Sequence, residues 1–217
     1  MKSLYYTSVS KMADILRDNF RRSDLWNFLD VKYEPDDHIS VVEVCEIYHV
    51  NLEIFLHVCN LYTFDDYLLE ENIPDGFPVD PAIDYITKAH DFFIKNTVPQ
   101  LRQEYMEIAP MLNRYTTALF DAFMEAVIEH MSCISDIFVK YGQTPDSITS
   151  DQIEYVIEQE LEINRRMDAL IQQLSEFQEP KDFMRQINHL KYHLMFLRKD
   201  SDKHNTMKNL TLKLLRK

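Results

Sequence analysis

Glycine is almost absent from this chain: Gly76 and Gly142 are the only two among 217 residues. Sheet proteins turn often and use glycine where the backbone needs positive φ. So poor a supply excludes a strand-rich fold and predicts long helices joined by few loops. Cysteine is nearly as scarce. Cys45, Cys59 and Cys133 are odd in number and widely spaced, and no C-x-x-C pair occurs, which excludes the common zinc-ribbon and dithiol motifs. Buried reduced thiols in a cytoplasmic protein are the expectation. No apolar run approaches the ~20 residues of a membrane-spanning helix. The opening MKSLYYTSVSK lacks the apolar centre of a signal peptide. Phosphate-binding glycine loops, G-x-S-x-G and H-E-x-x-H are missing too, so nothing in the motifs points to an enzyme.

Positive charge is in short supply. Lys and Arg number 23 against 36 Asp and Glu, a net charge of −13. Such a chain lacks the cations that neutralise phosphates, which argues against nucleic acid as a partner. The deficit is uneven. Residues 185–217 carry +7 and the residues before them −20. A basic last helix is either neutralised by its acidic neighbours or forms a docking face for an acidic protein partner.

The segment NIPDGFPVDP, residues 72–81, holds three of the eight prolines and one of the two glycines. It reads as a linker between a small N-terminal domain, residues 1–71, and a larger C-terminal one, residues 82–217. In the first, Met12, Ile15, Leu16 and Phe20 recur at helical spacing, and Leu25, Trp26 and Leu29 continue the pattern. Ser40 and Glu43 form a capping-box pattern ahead of two short helices, about 41–48 and 51–62, broken at His49-Val50-Asn51. The outline is that of a helix-turn-helix. Residues 1–70 nonetheless carry six Lys/Arg against thirteen Asp/Glu, so packing or binding of protein is expected rather than DNA.

The second domain reads as four long helices. The first starts at Asp80-Pro81, carries Ile83, Ile86, His90, Phe93, Leu101, Tyr105 and Ile108, and should kink at Pro99. The second, about 111–141, carries Leu112, Tyr115, Leu119, Phe123, Val127, His130, Ile134, Ile137 and Tyr141, and stops at Gly142. The third, about 149–178, carries Ile153, Val156, Glu160, Ile163, Met167, Leu170 and Leu174. The fourth, about 181–215, carries Phe183, Ile187, Leu190, Leu194, Leu197, His204, Met207, Thr211 and Leu214. Met184, Met195 and Phe196 read as packing residues. His189 and His193, one turn apart, could clip a metal at the surface, although they also fit a solvated helix side.

His90, His130, Glu160 and His204 interrupt four apolar stripes, one on each helix. Ionisable groups inside a bundle need a partner or a metal, and four-helix bundles hold di-iron centres with inward histidines and carboxylates. In this light the chain resembles the hemerythrin-like family that takes part in repair of iron–sulfur centres. KMADILRDNFRRSDLWNFLDV…ISVVEVCEIYHVNLEIFLHVCN is similar to its small N-terminal helical domain, with Val31-Lys32-Tyr33 near the place of the family's Cys-Cys pair. AIDYITKAHDFFIKNTVPQLR, VIEHMSCISDIF, EQELEINRRMDAL and DKHNTMKNLTL resemble its four bundle helices.

The resemblance implies an all-α protein with an up-down four-helix hemerythrin-like bundle, and His90, His130, Glu160 and His204 as its metal ligands. Where the family's two His-x-x-x-Glu segments have bridging glutamates, this chain has Ile134 and Lys208. Two bridges are lost and a cation gained, so a full di-iron centre is not expected. One Fe, Zn or Mn ion could be held by three histidines and a carboxylate, or Lys208 could pair with Glu160 in its place. The implied role is a non-enzymatic factor of stress response or iron homeostasis. The other reading is a metal-free interaction module that recruits a protein through the basic last helix or the N-terminal domain, with a homodimer as a further possibility.

Overall fold

The computed structural model describes residues 5–18, 29, 31, 39–72, 76–144, 148–177 and 181–215. Among these the protein is all-helical; the one extended pairing is a single antiparallel bridge, Lys11–Ser40. The helices are α1 (Met12–Asp18), α2 (Val41–Tyr48), α3 (Leu52–Thr63), α4 (Val79–Phe92), α5 (Val98–Ile108), α6 (Arg114–Gln143), α7 (Ser150–Glu176) and α8 (Lys181–Leu214). None is long and apolar enough to cross a membrane. The scarcity of glycine therefore translated into long helices. The helix expected over Leu25 and Trp26, and the Lys32-Tyr33 pair, lie outside the described residues.

The helix ends follow local chemistry. The Glu43 carboxylate accepts the Ser40 N–H at 2.8 Å, as the capping-box pattern predicts. His49 ends α2 in the left-handed region at φ 54, and the next N–H, of Val50, donates to the Cys45 carbonyl at 3.0 Å. Asn51 then caps α3, accepting from the Glu53 and Ile54 N–H groups at 3.1 Å. Asn113 caps α6 and Thr149 caps α7, each accepting from the third residue onward. Pro99 has no N–H to offer the carbonyl one turn back. The chain absorbs that defect in a π-helical turn, Phe93–Thr97, directly before α5.

The chain divides into two compact units. Unit 1 comprises residues 1–92 and 206–214; unit 2 comprises 93–205 and 215–217. The division falls beside the π turn. The proline-rich segment 72–81, read from the sequence as a linker, lies within unit 1, and its residues 73–75 are outside the described set.

Unit 1 buries Met12 and Ile15 of α1, Val41 and Val44 of α2, and Ile54, Phe55 and Val58 of α3. Asn60 clasps the N-terminal segment, with its Oδ1 accepting the Tyr6 N–H at 2.7 Å and its Nδ2 donating to the Tyr6 carbonyl at 3.1 Å. Burial pushes the thiol pKa of Cys45 up to about 11 and that of Cys59 well above its ordinary value, so both stay protonated.

Unit 2 has one apolar core to which four helices contribute: Leu101 and Tyr105 from α5, Phe120 and Phe123 from α6, Met167 and Leu170 from α7, Leu190 and Leu194 from α8. Tyr105 and Phe120 stack with centroids 3.8 Å apart. Arg166 of α7 donates to the Ala122 carbonyl of α6 at 2.6 Å, and Arg198 of α8 lies 3.3 Å from Asp168 of α7. The stripes run true in their middles and drift at their ends. Tyr115 is exposed and Thr116 buried instead; Phe183 and Leu214 face water, and Leu215 is buried. An α-helix drifts off a fixed apolar spacing within a few turns, so end residues extrapolated from the centre fall on the wrong side.

Candidate functional site

Three groupings combine chemistry with an unusual environment. The first lies in unit 1. His57 and Glu53, one turn apart on α3, face Tyr67. The Tyr67 hydroxyl hydrogen-bonds His57 Nδ1 at 2.6 Å, and His57 Nε2 stands 3.6 Å from Glu53 Oε1. Burial lowers the His57 pKa below 6.5, raises that of Glu53, and pushes that of Tyr67 up to about 12. The ring is thus held neutral, which suits a hydroxyl donor at Nδ1.

That environment sets a pH dependence. A histidine whose folded pKa is depressed binds fewer protons folded than unfolded just below pH 6.5. Stability is then full above the unfolded pKa and falls as the pH drops through it. The raised Glu53 acts with the opposite sign and in a more acid range. Between about pH 7.5 and pH 5.5 the melting temperature should fall, and His57→Gln should shrink that fall. Equal falls in parent and variant would show that another group governs the acid side.

The second grouping holds the residues singled out from the sequence. His130 on α6 and Glu160 on α7 are both almost fully buried, with Nε2 and Oε1 4.0 Å apart. Their burial is what their places on the stripes predict. His90 is buried on α4 and belongs to unit 1; His204, half-buried, belongs to the part of α8 in unit 2. Ile134 is fully buried on α6. Lys208, at 1% exposure, is among the most buried large side chains in the protein. Among the described residues no three His, Cys, Asp or Glu groups surround a point that would hold a metal ion as they stand.

The third grouping is on the outer side of α8 and was misread in the sequence. Met195 and Phe196, expected to pack, are 47% and 62% exposed, and Tyr192 beside them is 54% exposed. Arg185 and Lys199, also exposed, lie on the same side at either end. The five fall within about a third of the helix circumference and span about 21 Å. Residues 183–199 contain no Asp or Glu, in a chain with 36 of them. The signal was present in the sequence as this acid-free run, but aromatic residues on a helix read as core unless the inner stripe is placed first. Ile187, Leu190 and Leu194 fill the inner stripe, so the aromatic side is left to solvent.

One further buried group escaped the sequence reading. Glu104, 8% exposed on α5, receives His193 Nδ1 at 3.0 Å and has His189 Nδ1 at 3.5 Å. Its place at the same helical spacing as Leu101 and Ile108 was the available clue.

The sequence matches no known family model, and neither a curated protein nor a solved structure is significantly similar to the chain.

Proposed function

We propose that the protein is a helical recruitment module that binds an acidic amphipathic helix of a partner protein along the outer side of α8. The observation that carries this reading is the exposed Tyr192–Met195–Phe196 cluster with Arg185 and Lys199 at its ends. Aromatic anchors and arginine are the residue types that dominate binding energy at interfaces, and cations at the ends favour an acidic partner by steering and register. A cationic aromatic helix side also suits anionic lipid. The chain's net charge of −13 opposes approach to an extended anionic surface such as lipid or nucleic acid, whereas a short acidic peptide meets mainly the local cations of residues 183–199, a run with no Asp or Glu. Fluorescence anisotropy with a labelled acidic amphipathic peptide tests the reading. Salt-sensitive binding to the peptide, with none to phosphatidylserine vesicles or duplex DNA, is expected. Binding to vesicles but not to the peptide would overturn it.

A second reading follows the family resemblance: a hemerythrin-like factor related to iron–sulfur repair, with a reduced metal site in an up-down bundle. The buried His130–Glu160 contact favours it, because a histidine and a carboxylate are brought together inside unit 2 at two of the expected ligand positions. Its test is elemental analysis of protein grown in iron-rich medium. Fewer than two irons per chain are expected, since Ile134 and Lys208 replace the bridging carboxylates. The double variant Ile134→Glu/Lys208→Glu should take up more iron than the parent. Equal iron content in both would count against this reading.

A further inference from the structure

We infer that the acidic amphipathic helix taken by the outer side of α8 is α7 of a second copy of this chain, so that the protein self-associates and covers its own recruitment surface. The inference rests on the recruitment reading and names the partner. Residues 150–164 contain no Lys, Arg or His, and their acids are Asp151, Glu154, Glu158, Glu160 and Glu162. That run is the counterpart of residues 183–199, which contain no Asp or Glu. Glu160 is buried, and Glu162 pairs with Arg165 and Arg166 at 2.9 and 2.8 Å. Asp151, Glu154 and Glu158 are exposed.

These acids do not stand alone. Tyr155 and Leu161 are exposed among them, and the five side chains fall within about a third of the circumference of α7. Apolar residues set among carboxylates complement aromatic anchors that have cations at either end. The acidic run spans about 21 Å, which matches the distance along α8 from Arg185 to Lys199. Within one copy the two runs do not meet. Helices joined by so short a connection as residues 177–180 run antiparallel, and Arg198 lies 3.3 Å from Asp168. The acid-free run therefore lies alongside the C-terminal half of α7, and the acidic run lies past its end. Two chains of charge −13 repel at long range. At physiological ionic strength that repulsion is screened beyond about 8 Å, while the opposite charges of the two runs act in contact.

The test is sedimentation equilibrium of the full chain at physiological salt, from micromolar to submillimolar protein. The parent should form species heavier than one chain as its concentration rises. Glu154→Lys/Glu158→Lys and Arg185→Glu/Lys199→Glu should each weaken association more than about tenfold, because like charges then face one another. An equal mixture of the two variants should regain it, since each α8 then meets an α7 of opposite charge on the other variant. Regained association also shows that both variants are folded. A parent that stays monomeric throughout, variants that associate as the parent does, or a mixture that stays monomeric overturns the inference. Anisotropy with the labelled acidic peptide at dilute protein reads the recruitment surface by itself, and Glu154→Lys/Glu158→Lys should bind the peptide as the parent does. Peptide binding by a parent that never self-associates overturns this inference and spares the recruitment reading. Association restored in the mixture, with no peptide binding, does the reverse.

Discussion

Replacing Phe123 with alanine should destabilise unit 2 by about 3–5 kcal/mol, the range for removing a fully buried aromatic ring. Phe123 has no exposed surface and belongs to the one core to which α5, α6, α7 and α8 all contribute. The rest of that core is made of aliphatic, aromatic and methionine side chains. Interiors this close-packed collapse only partly around a missing ring. The effect is large because a domain of this size has about ten kcal/mol of net stability in all. Urea unfolding followed by helical circular dichroism measures it. Tyr115→Ala on the same helix is the control: Tyr115 is 61% exposed, and its loss should change stability by less than about 0.5 kcal/mol. Similar values for the two variants would mean that the core is not where the buried residues place it.

Phe123 was legible in the sequence, and so was most of what resembles it. Two glycines, clean apolar stripes, the Ser40–Glu43 capping box and the Asp80-Pro81 start left little room for anything but helices. The burial of His130 and Glu160 followed from their places at the centres of stripes, where helical spacing is a reliable guide. Errors gathered where spacing stops being one. Tyr115, Phe183 and Leu214 sit at helix ends, beyond the turns that fix the phase. Glu104 was overlooked because a carboxylate is expected in water, and nothing local announces that two histidines some ninety positions later will face it. The break beside Pro99 was foreseen as a kink, yet the proline- and glycine-rich segment 72–81 drew the domain boundary away from it. Composition marks where a chain can bend; which bend separates two compact units depends on contacts made far along the chain.

The outer side of α8 is the feature on which the proposed function rests, and it predicts an effect on binding without one on folding. Changing both Tyr192 and Phe196 to serine should weaken binding of an acidic amphipathic peptide several hundredfold, taking about 2 kcal/mol for each aromatic anchor and 1.4 kcal/mol per factor of ten. Thermal stability should stay within about 0.5 kcal/mol of the parent, since exposed side chains contribute little to the core. The cations give a different signature. Arg185→Glu with Lys199→Glu should act mainly on the association rate, and the effect should fade as salt rises, because steering by exposed charges is screened over about 8–10 Å at physiological ionic strength. Surface plasmon resonance separates the two, with the aromatic pair read in dissociation and the charge pair in association. If the serine variant binds as tightly as the parent, the peptide does not lie along α8. If it binds weakly but also melts early, the aromatics hold the fold, and the recruitment reading loses its anchor.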